Sequence, residues 1–103
     1  MIHPVVAKLV QVAPKLVDDL PQAQLDQVVQ LLDQLPHPLS AQDIEALIEL
    51  LPDTGDTACE VNWTILHAIE ASPHWPIWHL LEDANHVWLN LLRLRLRNAG
   101  AMN

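Results

Sequence analysis

Residues 21–51 read PQAQLDQVVQLLDQLPHPLSAQDIEALIELL, and the fold is decided here. Leu25, Val28, Val29, Leu32 and Leu35 recur at the i, i+3, i+4, i+7 spacing that gathers side chains on one side of a helix. Asp26, Gln27, Gln30, Asp33 and Gln34 fall between them and face away. Pro21 suits the first turn, where the N–H that proline lacks has no helical acceptor. Pro36-His37-Pro38 is a rigid break. Ser40 with Asp43 three residues on is a capping box with Asp in place of Glu. It opens a second stripe of Ile44, Leu47, Ile48 and Leu51, with Gln42, Glu45 and Glu49 outside. The spacing therefore predicts helices over 21–35 and 40–51, with Leu32 and Ile48 mid-stripe on core faces.

The same punctuation runs outward in both directions. Prolines at 4, 14, 21, 36, 38, 52, 73 and 76 cut the chain into helix-sized pieces. Val5, Val6, Leu9 and Val10 predict a short helix over 4–13, and 15–20 reads as a short turn. Asp53 to Asp56 is a loop around Gly55. Trp63, Leu66 and Ile69 predict a helix to Ala71, opened either by a Thr57–Glu60 capping box or by Asn62 as N-cap. A short helix over 76–82 and a last one capped by Asp83 or Asn85 complete the reading, with Gly100 as the stop. Arg93, Arg95 and Arg97 lie near that last C-terminus, where cations favour the helix dipole. The expectation is one all-α domain over 1–103, with about six or seven short helices and no sheet. An acid, any residue, then Leu-Pro occurs at Asp18–Pro21, Asp33–Pro36 and Glu49–Pro52. That spacing is roughly one helix plus a turn, and two such units make a helical hairpin of about 31 residues, a period that suits hairpins stacked as in a small HEAT-like α-solenoid.

Composition narrows what such a domain can do. Half the residues are hydrophobic, so the chain can bury a core. Phe and Tyr are absent, which makes Trp63, Trp75, Trp78 and Trp88 the only large aromatic fillers. The net charge is −8, and all thirteen acids lie between Asp18 and Asp83. The five bases, Lys8, Lys15, Arg93, Arg95 and Arg97, lie outside that window. From Asp18 to Glu60 there are ten acids and no Lys or Arg. Such a field repels nucleic acid and anionic membranes and attracts a cationic surface. Residues 1–14 show no apolar signal-peptide core, and no apolar run is long enough to span a bilayer. The expected location is cytoplasmic.

No constellation points to catalysis. Cys59 is the single cysteine, and His67 is its nearest histidine in sequence, without an oxyanion-hole glycine loop. The acids lie on outward helix faces, where nothing raises a carboxyl pKa for proton transfer. His79, Glu82, Asp83 and His86 form H-x-x-E-D-x-x-H, a spacing that could ligate a metal on one continuous helix. A helix break expected at Asp83 to Asn85 argues against that. The expectation is neither an enzyme nor a metal or cofactor carrier.

One segment carries a family likeness. Asn62-Trp63, Leu66-His67, Ile69-Glu70, Pro73, Trp75 and Pro76 are followed by Trp88 opening a Leu/Arg-rich final helix. The stretch from Glu60 to Gly100 resembles small HEAT-like helical domains of bacterial toxin–immunity cassettes. In those the residue after Asn-Trp is proline, where this chain has Thr64. The resemblance implies an immunity protein that neutralises a cognate toxin by masking its surface. The alternative is a HEAT-like adaptor or regulatory subunit with no toxin partner. Either way the expected partner is a protein with a cationic surface. The expected contacts are Asp43, Glu45, Glu49, Asp53, Asp56 and Glu60, with Trp63 as apolar anchor.

Overall fold

The structure, a computed structural model, describes residues 2–13, 15–58, 60–82 and 85–99. Among them are α1 (Pro4–Val12), α2 (Gln22–Leu32), α3 (Ala41–Leu50), α4 (Val61–Glu70), a 3-10 turn at Trp78–Leu81, and α5 (Val87–Asn98). The all-α expectation holds, with five α-helices among the described residues where six or seven were expected. The 76–82 segment, expected as a short helix, closes only a single 3-10 turn. Residues 15–20, read as a short turn, form one closed by Leu20 N–H on the Val17 carbonyl. None of the described helices is long and apolar enough to cross a membrane.

Each helix contributes an apolar stripe to one core. Val6 and Leu9 of α1, Leu25 and Val28 of α2, and Ile44, Leu47, Ile48 and Leu50 of α3 are buried. Val61, Ile65, Leu66 and Ile69 of α4 join Trp88, Leu89, Leu92 and Leu96 of α5. α1 packs on α2 and α3, α2 on α4, and the 3-10 turn on α5. The molecule measures 42 × 27 × 18 Å, a slab about two helices thick at the usual 8–10 Å interaxial distance.

The stripe on α2 is narrower than its sequence suggests. Leu25 and Val28 are buried, Leu32 is half-buried, and Val29 is 46 % exposed. Each residue turns the helix by about 100°, so Val29, directly after Val28, falls at the edge of the stripe. Ile48 on α3 is buried as expected. Ile48→Ala should therefore destabilise more than Leu32→Ala, whose truncation should cost about 1 kcal/mol. Urea unfolding of the two variants checks this order.

Helix ends are where sequence reading and structure part most. The Ser40 capping box is present: Ser40 Oγ accepts from Asp43 N–H at 3.1 Å, and the Asp43 carboxylate accepts from Ser40 N–H at 3.4 Å. Elsewhere histidines take the role. His3 Nδ1 accepts from Val5 N–H at 3.1 Å, and His86 Nδ1 accepts from Leu89 N–H at 3.3 Å. Neither Thr57 nor Asn62 caps α4. Its N-cap is Glu60, in the left-handed region at φ 74° and with no side-chain capping bond. Asn85 does not cap α5, and Asp83, Gly100 and Cys59 lie outside the described residues.

Candidate protein-binding surface

The acid-only stretch runs from the turn before α2, through α2 and α3, to Glu60 at the start of α4. Of its ten carboxylates, all but Asp43 and Asp56 belong to exposed residues. Among the described residues none of the ten is paired with a lysine or arginine. The one such pair there is Arg95 with Glu70, bonded at 2.7 and 2.9 Å. That double hydrogen bond, with the Glu70 charge behind it, raises the Arg95 pKa above its ordinary value.

The structure divides the seven expected contact residues. Glu45 and Glu49 stand one turn apart on the outer side of α3, both exposed. With Ile2, Gln42 and Ala46 they line an open groove of about 310 Å³. Like charges four residues apart repel by about 0.2–0.5 kcal/mol, which a bound cation would relieve. Asp53 is exposed, and its Oδ1 lies 3.4 Å from His86 Nε2. Glu60 is exposed at the start of α4.

The other three are turned to the fold. Asp43 is 4 % exposed, against the expectation of an outward contact. Besides the Ser40 N–H, its carboxylate accepts from His3 N–H at 2.8 Å, so it ties the start of α1 to the start of α3. Asp43→Ala should cost about 1–2 kcal/mol, the loss of a cap plus a buried charge-assisted hydrogen bond. Thermal unfolding with partner binding measured alongside would separate this cost from any role in recognition. Asp56 is half-buried and accepts from Asp18 N–H at 3.0 Å. Asp18 returns the contact, its Oδ1 accepting from Thr57 N–H at 3.1 Å and Ala58 N–H at 2.8 Å. Trp63 is half-buried and packs edge-on against Trp88, with ring centroids 5.2 Å apart.

Of the remaining chemical candidates, His86 is taken up by backbone contacts. His86 is buried and uses both ring nitrogens: Nδ1 accepts from Leu89 N–H, so Nε2 carries the proton and donates to the Leu51 carbonyl at 3.1 Å. His79 is exposed on the 3-10 turn. Among the described residues no three His, Cys, Asp or Glu side chains gather as metal ligands. Trp75 is half-buried, its Nε1 buried without a partner among the described residues, whereas Trp78 is 48 % exposed.

Sequence reasoning missed a second groove. Val29, Leu32 and Asp33 from α2 and its end face Glu60, Val61 and Thr64 around an open hollow of about 170 Å³. The signal was available in the edge position of Val29, but not the closeness of residues 29–33 to 60–64. No family model, curated protein or solved structure matches this chain.

Proposed function

We propose that the chain is a protein-binding module that masks a cationic surface on its partner, in the specific form of an immunity protein neutralising a cognate toxin in the cytoplasm. The observation that carries the reading is the run of ten acids from Asp18 to Glu60 without a lysine or arginine. Most of these carboxylates stand exposed and without a basic neighbour among the described residues. Their mutual repulsion is a cost in the free protein that a cationic partner removes. Complementary charge of this kind speeds encounter and rejects wrong partners more than it adds affinity.

A HEAT-like arrangement of helical hairpins belongs to the same reading. It is supported by the packing of α1 on α2, the acid-x-Leu-Pro repeat, and a slab two helices thick, the shape that stacked helical pairs take. The toxin in particular rests on the resemblance over Glu60–Gly100. A HEAT-like adaptor would share the acidic surface and lack the toxin. Co-expression with the product of the adjacent gene decides between them. An immunity protein rescues growth from that product and co-purifies with it. A neighbour that is harmless and unbound would remove the toxin from the reading.

A further inference from the structure

We propose that the groove between α2 and α4 seats an amphipathic helix of the partner protein, with an aliphatic side chain against Val29, Leu32 and Val61 and lysine or arginine over Asp33 and Glu60. This rests on the reading of the chain as a binder of a cationic protein, and adds where the partner anchors and what it must present.

Three observations point to that occupant. Val29 is 46 % exposed and Leu32 half-buried, so the hollow of about 170 Å³ has an apolar floor open to solvent. An aliphatic side chain entering it removes apolar surface from water on both sides of the contact, which favours binding. Asp33 and Glu60 flank that floor, both exposed, and neither carboxylate has a hydrogen-bond or ion-pair partner among the described residues. Acids with apolar surface between them match a helix bearing Lys or Arg beside an aliphatic residue, the long cationic stems lying along the groove wall. Glu60 also holds a left-handed backbone at φ 74°, a conformation that favours glycine over any residue with a side chain. Its carboxylate does not cap α4 and so is left to face the groove.

The α3 groove is the weaker seat for an apolar anchor. Its walls are Gln42, Glu45 and Glu49, with only Ile2 and Ala46 as apolar lining. Its acids contribute to attraction at a distance.

The test uses the full chain and two synthetic helical peptides of about 15 residues. One has a leucine stripe flanked by lysines; the other has the same stripe flanked by glutamates. Amide shifts in ¹H–¹⁵N spectra are followed at low salt. The lysine peptide should shift residues 29–33 and 60–64 saturably, and the glutamate peptide should shift nothing. Val29→Gln, and separately Asp33→Asn with Glu60→Gln, should each weaken binding at least tenfold. Glu45→Gln with Glu49→Gln should weaken it less than threefold. Binding unaffected by Val29→Gln, or shifts centred on α3 and lost in the Glu45/Glu49 variant, would overturn the groove and leave the cationic-partner reading standing. A lysine peptide that moves no amide, or a glutamate peptide that binds as well, would overturn both.

Discussion

Asn62→Ala is expected to lower the unfolding free energy by about 2–4 kcal/mol, although the side chain is not exposed for any partner to reach. Asn62 is wholly buried. Its Nδ2 donates to the Leu16 carbonyl at 2.9 Å and to the Asp56 carbonyl at 2.8 Å. One side chain thus pins the segment between α1 and α2 and the loop before α4. Both partners are carbonyls, which fixes the amide with nitrogen toward them and leaves Oδ1 without a partner among the described residues. Truncation strands the Leu16 carbonyl, at about 1–3 kcal/mol for a buried unsatisfied group. The Asp56 carbonyl fares better, since Trp88 Nε1 also donates to it at 3.2 Å. The small cavity left by the side chain adds to the loss, and removal of the orphaned Oδ1 offsets part of it. Asn62→Asp should be at least as damaging, because a carboxylate facing two carbonyls has no proton to offer unless it stays neutral. Urea unfolding monitored by tryptophan fluorescence measures both. Stability unchanged in Asn62→Ala would mean that this buried bridge contributes nothing net.

The helices were legible in the sequence because apolar periodicity and proline are local signals. The stripes Leu25-Val28-Leu32 and Ile44-Leu47-Ile48 each mark a face that must be covered, and Pro21, Pro36 and Pro52 mark the ends. The joints between helices were not legible. Asn62 looked like an N-cap because Asn favours that position. It is instead a buried cross-link to residue 16, and no local pattern announces a partner 46 residues away. Asp43 shows the same limit in one residue. Its place in the capping box was readable, but its second bond, to His3 N–H, drew it inside and off the expected surface. Histidine caps at His3 and His86 escaped notice because the usual preference is for Ser, Thr, Asp and Asn. At the surface, charge sign and density were readable from the order of residues alone. Which acids share a hollow was not, since Asp33 and Glu60 meet through the packing of α2 on α4.

Reversing Glu45, Glu49 and Asp53 to lysine should slow association with the cationic partner at least tenfold at low salt, with helicity nearly unchanged. These three are chosen because their residues are exposed and none carries a helix cap. Asp43 and Asp56 are left alone, since each holds backbone N–H groups and its reversal would confound folding with recognition. The substitutions replace three negative charges by three positive ones, which takes the net charge from −8 to about −2. Most of the net negative charge that steers a cation is thereby removed. Dissociation should change less, because charges at a rim act mainly on encounter. Salt should mimic the mutation. The Debye length shrinks to about 10 Å at 0.1 M, so wild-type association should fall steeply as salt rises. The triple variant, with little field left to screen, should respond weakly to the same series. Stopped-flow association with the co-purifying partner from 0.02 to about 0.5 M salt reads both effects in one experiment. The distinctive outcome is convergence: the two proteins should differ at least tenfold at low salt and approach each other at high salt. Parallel curves, or a wild-type rate indifferent to salt, would reduce the acidic surface to a solvated face with no part in recognition.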